Sequence, residues 1–137
     1  MKRIWPIIAV SDVVNSVDWY KNLLDAMSTH PDGTTFDQIV DTDGTVLLCL
    51  HCWGPSGASG THEWPTLLVS GESDPNGLLL WFVVDDFDQA WKRAKRFGAK
   101  IVEEPNTDNG TGEQAFVVCD PDGYHVVINK QPDTDNA

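Results

Sequence analysis

The sequence predicts an α+β fold made of two tandem βαβββ modules. Three observations carry that expectation. "DTDGTVLLCL" (41–50) is echoed 79 residues later by "DPDGYHVVIN" (120–129). "IIAVSDVVNSVDWY" (7–20) is echoed 74 residues later by "WFVVDDFDQAWKRA" (81–94). Between the repeats lies a Gly-, Ser- and Pro-rich stretch with no hydrophobic period. Two segments repeating in the same order at nearly constant offset mark a duplicated module. The boundaries expected within one domain, 1–137, are module one at 1–52, a long loop at 53–77, module two at 78–130 and a disordered polar tail at 131–137.

Each module opens on a short apolar strand, "WPIIAV" or "LLLWFVV". Asp12 and Asp86 then stand where a helix N-cap belongs, each offering a carboxylate to unpaired amides. The second helix shows one apolar stripe, Phe87, Ala90, Trp91, Ala94 and Phe97, with Gly98 as its stop. Lys92, Arg93, Lys95 and Arg96 crowd its last turns, where they suit the helix dipole and read as a solvated face. In the first helix Val13, Val17, Tyr20 and Leu24 form the matching stripe. Asp43-Gly44 and Asp122-Gly123 read as hairpin turns joining paired strands.

With 137 residues, 41% of them hydrophobic, the chain can bury a real core. No apolar run is long enough for a membrane helix, and "MKRIWPIIAVSDVV" lacks the form of a signal peptide. A cytoplasmic protein is the expectation. Three cysteines are too few for a disulfide scaffold. A net charge of −12 repels phosphate backbones and anionic lipid, so neither nucleic acid nor membrane is an expected partner, whereas cations are attracted.

Tandem βαβββ modules with "VSDVVNSVDWYKNLL", "FVVDDFDQAWKRAKRFGAK" and "FVVCDPDGYHVVI" resemble the vicinal oxygen chelate superfamily, the group of glyoxalase I, extradiol dioxygenases, and fosfomycin- and bleomycin-resistance proteins. The resemblance spans nearly the whole chain outside the central loop and the tail. It implies curved sheets around a cavity, and a homodimer. It also implies that metal-using members carry His, Gln or Glu at four strand positions, which fall here on Trp5, Leu48, Leu79 and Val127. An indole nitrogen only donates and alkyl groups have no lone pairs, so no metal and no other cofactor is expected.

Period-2 alternation extends these positions into an expected lining. Trp5 brings Ile7 and Ala9, and Leu79 brings Trp81 and Val83. Leu48 brings Val46, Leu50 and Cys52, and Val127 brings His125 and Asn129. His51 should then point to the helix side. Such a wall of aromatic and aliphatic groups with a few polar ones suits a small organic ligand. Trp53 and Trp64 in the central loop are candidates for a lid. A filled second core, leaving only a protein-interaction role, is the bland alternative.

Other motifs are weaker. "CLHC" (49–52) has CxxC spacing but lies in a strand, so its thiols point to opposite faces and read as core residues. "NTDNGTGEQ" (106–114) lacks the Lys and the strand-to-helix setting of a phosphate loop. Glu103, Glu104 and Asp108 could stand at a cavity mouth, with a solvated edge as the plain reading. His125 is the best single candidate for a titrating group in the cavity, with a packed, hydrogen-bonded core histidine as the plainer reading. The expected function is metal-free sequestration of a small aromatic, cationic compound, similar to the bleomycin-resistance proteins. An enzyme using a non-standard metal, or acid–base chemistry at His125 without one, is the alternative.

Overall fold

A computed structural model describes residues 2–54, 67, 78–108 and 111–132. The chain divides into two compact units, Met1–Glu72 and Ser73–Ala137. The first contains β1 (Ile7–Val10), α1 (Val13–Leu24), β2 (Met27–Ser28), β3 (Phe36–Val40) and β4 (Val46–Cys52). The second contains β5 (Leu80–Val84), α2 (Phe87–Arg96), β6 (Lys100–Asn106), β7 (Ala115–Cys119) and β8 (His125–Lys130). Each unit forms a four-stranded sheet, ordered β1-β4-β3-β2 and β5-β8-β7-β6. The first strand of each pairs in parallel with the last, and the other pairs are antiparallel. The duplication read from the sequence is thus a duplication of topology. Of the loop expected at 53–77, Trp53 is described and half-buried, while Trp64 lies outside the described residues, as does the tail beyond 132.

The two helices start differently. Asp12 is extended (φ −143°) and its carboxylate accepts from the Asn15 amide at 3.0 Å, a regular N-cap. Asp86 occupies the corresponding place but makes no side-chain cap bond, contrary to the expectation. Its Oδ2 instead lies 2.9 Å from Arg93 Nη1, two turns along the same helix. The guanidinium competes successfully with the amides because it offers a charge-assisted bond.

The buried face of α1 is Val13, Ser16, Val17, Tyr20 and Leu23. Leu24, expected in that stripe, is only half-buried because the helix ends there, with Asp25 turned left-handed (φ 52°). α2 buries Phe87, Ala90 and Ala94 as its stripe requires. It closes with Ala99 N–H on the Ala94 carbonyl (2.9 Å) and Gly98 N–H on the Lys95 carbonyl (3.3 Å), at a Gly98 φ of 75°. That bonding satisfies two terminal carbonyls and needs the positive φ that glycine adopts freely.

The two Asp-x-Asp-Gly turns are built alike. The Gly44 amide donates to the Asp41 carbonyl at 2.9 Å, and the Gly123 amide to the Asp120 carbonyl at 3.0 Å. Both glycines have positive φ, 86° and 95°. This is a three-residue hairpin loop whose left-handed position calls for glycine. Asp120 adds its buried carboxylate, which accepts from the amides of Asp122 (2.9 Å) and Tyr124 (2.8 Å).

Each sheet packs one face on its helix. In the second unit Phe116 of β7 is fully buried, with ring centroids 5.6 Å from Phe87 and 5.0 Å from Trp91. In the first, Asp37 of β3 shares a small cleft with Val17 and Lys21 of α1, which marks the helix side. Asp37 is itself buried, and its Oδ1 accepts from the amides of Thr29 (3.2 Å), His30 (2.8 Å) and Gln38 (2.7 Å). Hydrogen bonding of this kind offsets the cost of burying a carboxylate.

Candidate functional site

The open face of the second sheet follows from its register. Trp81 stands beside Val127, which faces Val117, while Val83 stands beside Asn129, which faces Ala115. Paired residues share a face, and residues two apart share it too. Because Phe116 and its partner Ile128 point to α2, this set points away from the helix. Leu79, Trp81, Val83, His125, Val127 and Asn129 are therefore brought together on one face. Trp81 is 41% exposed, Leu79 52% and Val83 55%. Large apolar groups left open side by side on a strand are unusual unless something covers them.

A concavity of about 290 Å³ lies on this face. Val117 and Val127 form part of its floor, Trp81 and Leu79 one wall, and His125 stands at its edge. That volume is at the small end of ligand sites. Asn129 lies on the same face but outside the hollow. Its side chain serves the fold, donating to the Lys130 carbonyl at 2.8 Å and lying 3.4 Å from Thr111 Oγ1. The opposite wall comes from β6 and the segment after it, with Glu103 and Asp108 among the lining. Glu104 is not part of it. β6 slips register against β7 twice, between Ile101 and Glu103 and between Glu103 and Asn106. Bulges re-aim side chains, and here they set Glu103 opposite Val117, on the open face.

Val102, Asn106, Ala115 and Val117 also line the hollow, and sequence reasoning had passed over them. Alternation along "AFVVC" could have found Ala115 and Val117. Val102 could not be found that way, because a bulged strand breaks its own period.

In the first unit the expected facing of β4 is corrected. Val40 pairs with Val46 but Ile39 with Leu48, so β4 carries one extra residue, Leu47, at that point. An inserted residue flips every later side chain to the other face. Leu48 and Leu50 are consequently 0% exposed and stand with Ile39 and Asp37 on the helix side, not in a lining. Cys52, paired with Val10, goes with them. Cys49 and His51 instead share the face of Ile7 and Ala9. His51, expected on the helix side, is buried on the opposite face, its Nδ1 hydrogen-bonded to the Cys52 carbonyl. Trp5, Ile7 and the preceding Ile4 are exposed.

The donor chemistry does not fit a divalent metal. The register moves the family position in β4 from Leu48 to Cys49, which changes one of four. Trp5, Leu79 and Val127 still offer no lone pair. Cys49 is fully buried, burial pushes its thiol pKa up, and its Sγ accepts from Gln38 Nε2 at 3.5 Å. A metal needs the thiolate, which this setting disfavours. Among the described residues no three His, Cys, Asp or Glu side chains are grouped to hold an ion.

A larger hollow of about 680 Å³ surrounds the start of α2. Asp85, Asp86, Asp88 and Glu113 dominate it, and its one aromatic, Phe87, is turned into the core. Its apolar lining comes from Val84 and Pro132 and includes no exposed aromatic face. Among the described residues no helix is long and apolar enough to cross a membrane.

Two repeated βαβββ units, each with one sheet face packed on its helix, define a class of two-module α+β proteins. The sequence pattern of the Glyoxalase/Bleomycin resistance protein/Dioxygenase superfamily matches residues 4–128, and the chain belongs to that family. Solved structures share the fold at low identity. TioX from Micromonospora sp. ML1 is 19% identical over 97% of this chain and 98% of its own, with a TM-score of 0.66. The fosfomycin resistance protein FosX from Listeria monocytogenes is 11% identical over 96% and 94%, also at 0.66. A possible glyoxalase from Bacillus cereus is 20% identical over 94% and 98%, at 0.64. No curated protein sequence matches this chain.

Proposed function

We propose that the protein binds a small planar aromatic compound, without a metal, on the open face of the second sheet. The observation that carries this reading is Trp81, exposed beside the Val117–Val127 floor of a concavity with Glu103 and Asp108 across from it. An indole face attracts flat rings and cations, and the carboxylates favour a cationic ring. A chain of net charge −12 also raises the local concentration of cations. Sequestering a toxic compound, as the family's bleomycin-resistance proteins do, is the role this geometry suits. The homodimer implied by the resemblance belongs to the same proposal.

The test is a titration with proflavine, a planar cation, followed by dye fluorescence, beside the neutral tricycle anthracene-9-methanol. Saturable binding of proflavine that Trp81→Ala weakens roughly five- to thirty-fold, the equivalent of about 1–2 kcal/mol, supports the reading. Equal affinity in the native protein and Trp81→Ala overturns it. Binding that requires added Ni²⁺ overturns the metal-free part.

A further inference from the structure

At the turn end of the same sheet face, β8, β7 and β6 carry His125, Cys119 and Lys100 in one row, of which His125 alone lines the concavity. Cys119 is the cross-strand partner of His125 on one side and of Lys100 on the other. The Asp120 amide donates to the Tyr124 carbonyl at 2.8 Å, which makes 120/124 the hydrogen-bonded pair beside the turn. Bonded and non-bonded pairs alternate in an antiparallel ladder, so Cys119 and His125 form a non-bonded pair, the kind whose side chains stand closest. Cys119 is half-buried, His125 and Lys100 are exposed, and His125 lines the concavity. The other two thiols are placed differently. Cys49 is fully buried beside Gln38, and Cys52 points to the helix side of its sheet.

A half-exposed thiol with an imidazole on one side and an ammonium on the other is the setting in which cysteines act as nucleophiles. We propose that Cys119, with His125 as its proton acceptor, is a covalent capture site for planar α,β-unsaturated carbonyl compounds entering the concavity. His125 takes the proton from Sγ, and the sulfur pair forms a bond to the β-carbon of the electrophile. The C=C π pair moves to the carbonyl oxygen as an enolate, which Lys100 stabilises by charge. The imidazolium returns its proton to the α-carbon. Thiol and enone give a thioether, with no oxidant or reductant consumed. The proposal rests on the binding reading only for the approach of the electrophile, since the thiol and its neighbours are set by strand register alone.

The experiment uses N-phenylmaleimide with the full chain, followed by intact mass and peptide mapping at a series of probe concentrations and pH values. Cys119 is expected to label first and Cys49 last, with a rate that saturates in probe. His125→Gln should slow Cys119 at least about a hundredfold, the lower end of general-base effects, and simplify its pH–rate profile while leaving Tm unchanged. Labelling of Cys52 ahead of Cys119, or an unchanged Cys119 rate in His125→Gln, overturns the proposal. Trp81→Ala separates the two readings. If it abolishes saturation but leaves the His125 dependence, both readings stand. A native rate linear in probe, still dependent on His125, leaves the thiol pair standing and removes the pocket. Intact proflavine binding with no His125 effect does the reverse.

Discussion

Cys49, not Leu48, stands beside Ile7 in the parallel ladder of the first sheet. One residue, Leu47, makes the difference, because it is the extra residue of a bulge opposite Ile39 and Val40. The consequence reaches the chemistry of "CLHC". Its first thiol and its histidine lie on the face turned away from α1, and its second thiol on the helix side.

Burial raises the Cys49 pKa, and the Gln38 side chain opposes that shift in part. The unfolded thiol ionises near pH ~8.5, below the folded one. The stability this group contributes is therefore fully present below that pH and is lost as pH rises toward the folded value. Urea unfolding at pH 7 and pH 10 should show a smaller alkaline loss in Cys49→Val than in the native protein. An identical loss in both would remove Cys49 as its source.

Phe116 joins the second sheet to α2 through Phe87 and Trp91. Phe116→Ala should cost about 3–5 kcal/mol, a large part of the total stability of a small domain. Chemical denaturation measures it directly. A cost below 1 kcal/mol would mean the helix is held by something other than this cluster.

Gly123 has a φ of 95° and open space around a built Cβ, so any penalty at this position is one of backbone conformation. Gly123→Ala is expected to destabilise by about 1–2 kcal/mol through the left-handed strain alone. Gly44, at 86° in the matching turn and equally unobstructed, should behave the same way. Thermal melts of both variants check the equivalence of the two hairpins.

Glu103 is exposed, so its attraction for a bound cation is screened. Glu103→Gln should weaken proflavine by less than about 1 kcal/mol and flatten the salt dependence of binding, leaving the neutral tricycle unaffected. Isothermal titration at 20 and 300 mM NaCl separates this from a loss of shape, which would weaken both dyes alike.

The fold was legible because its signals are local and doubled. Asp12 caps α1, the Phe87–Ala90–Ala94 stripe is the buried face of α2, and Gly44 and Gly123 sit in the left-handed turns their Asp-Gly pairs announced. The facing of the second module's last strands was legible for the same reason. Between Cys119 and Lys130 the ladder is regular, so counting by two from Val127 puts His125 and Asn129 on its face. The facing of β4 was not, because counting by two across Leu47 inverts the answer. Asp86 was misread because the choice between an amide and a guanidinium depends on where Arg93 comes to lie.

Periodicity, turn chemistry and caps act over a few residues, and by themselves they determined the two βαβββ modules and the helix faces. Register is a relation between strands, not a property of one. Tertiary structure alone decided that β4 bulges at Leu47, that β6 slips twice to turn Glu103 toward Trp81's face, and that Cys119 meets His125 across the ladder. The physical reason is the period of two, since a single inserted residue, invisible to local preference, exchanges the core face for the open one.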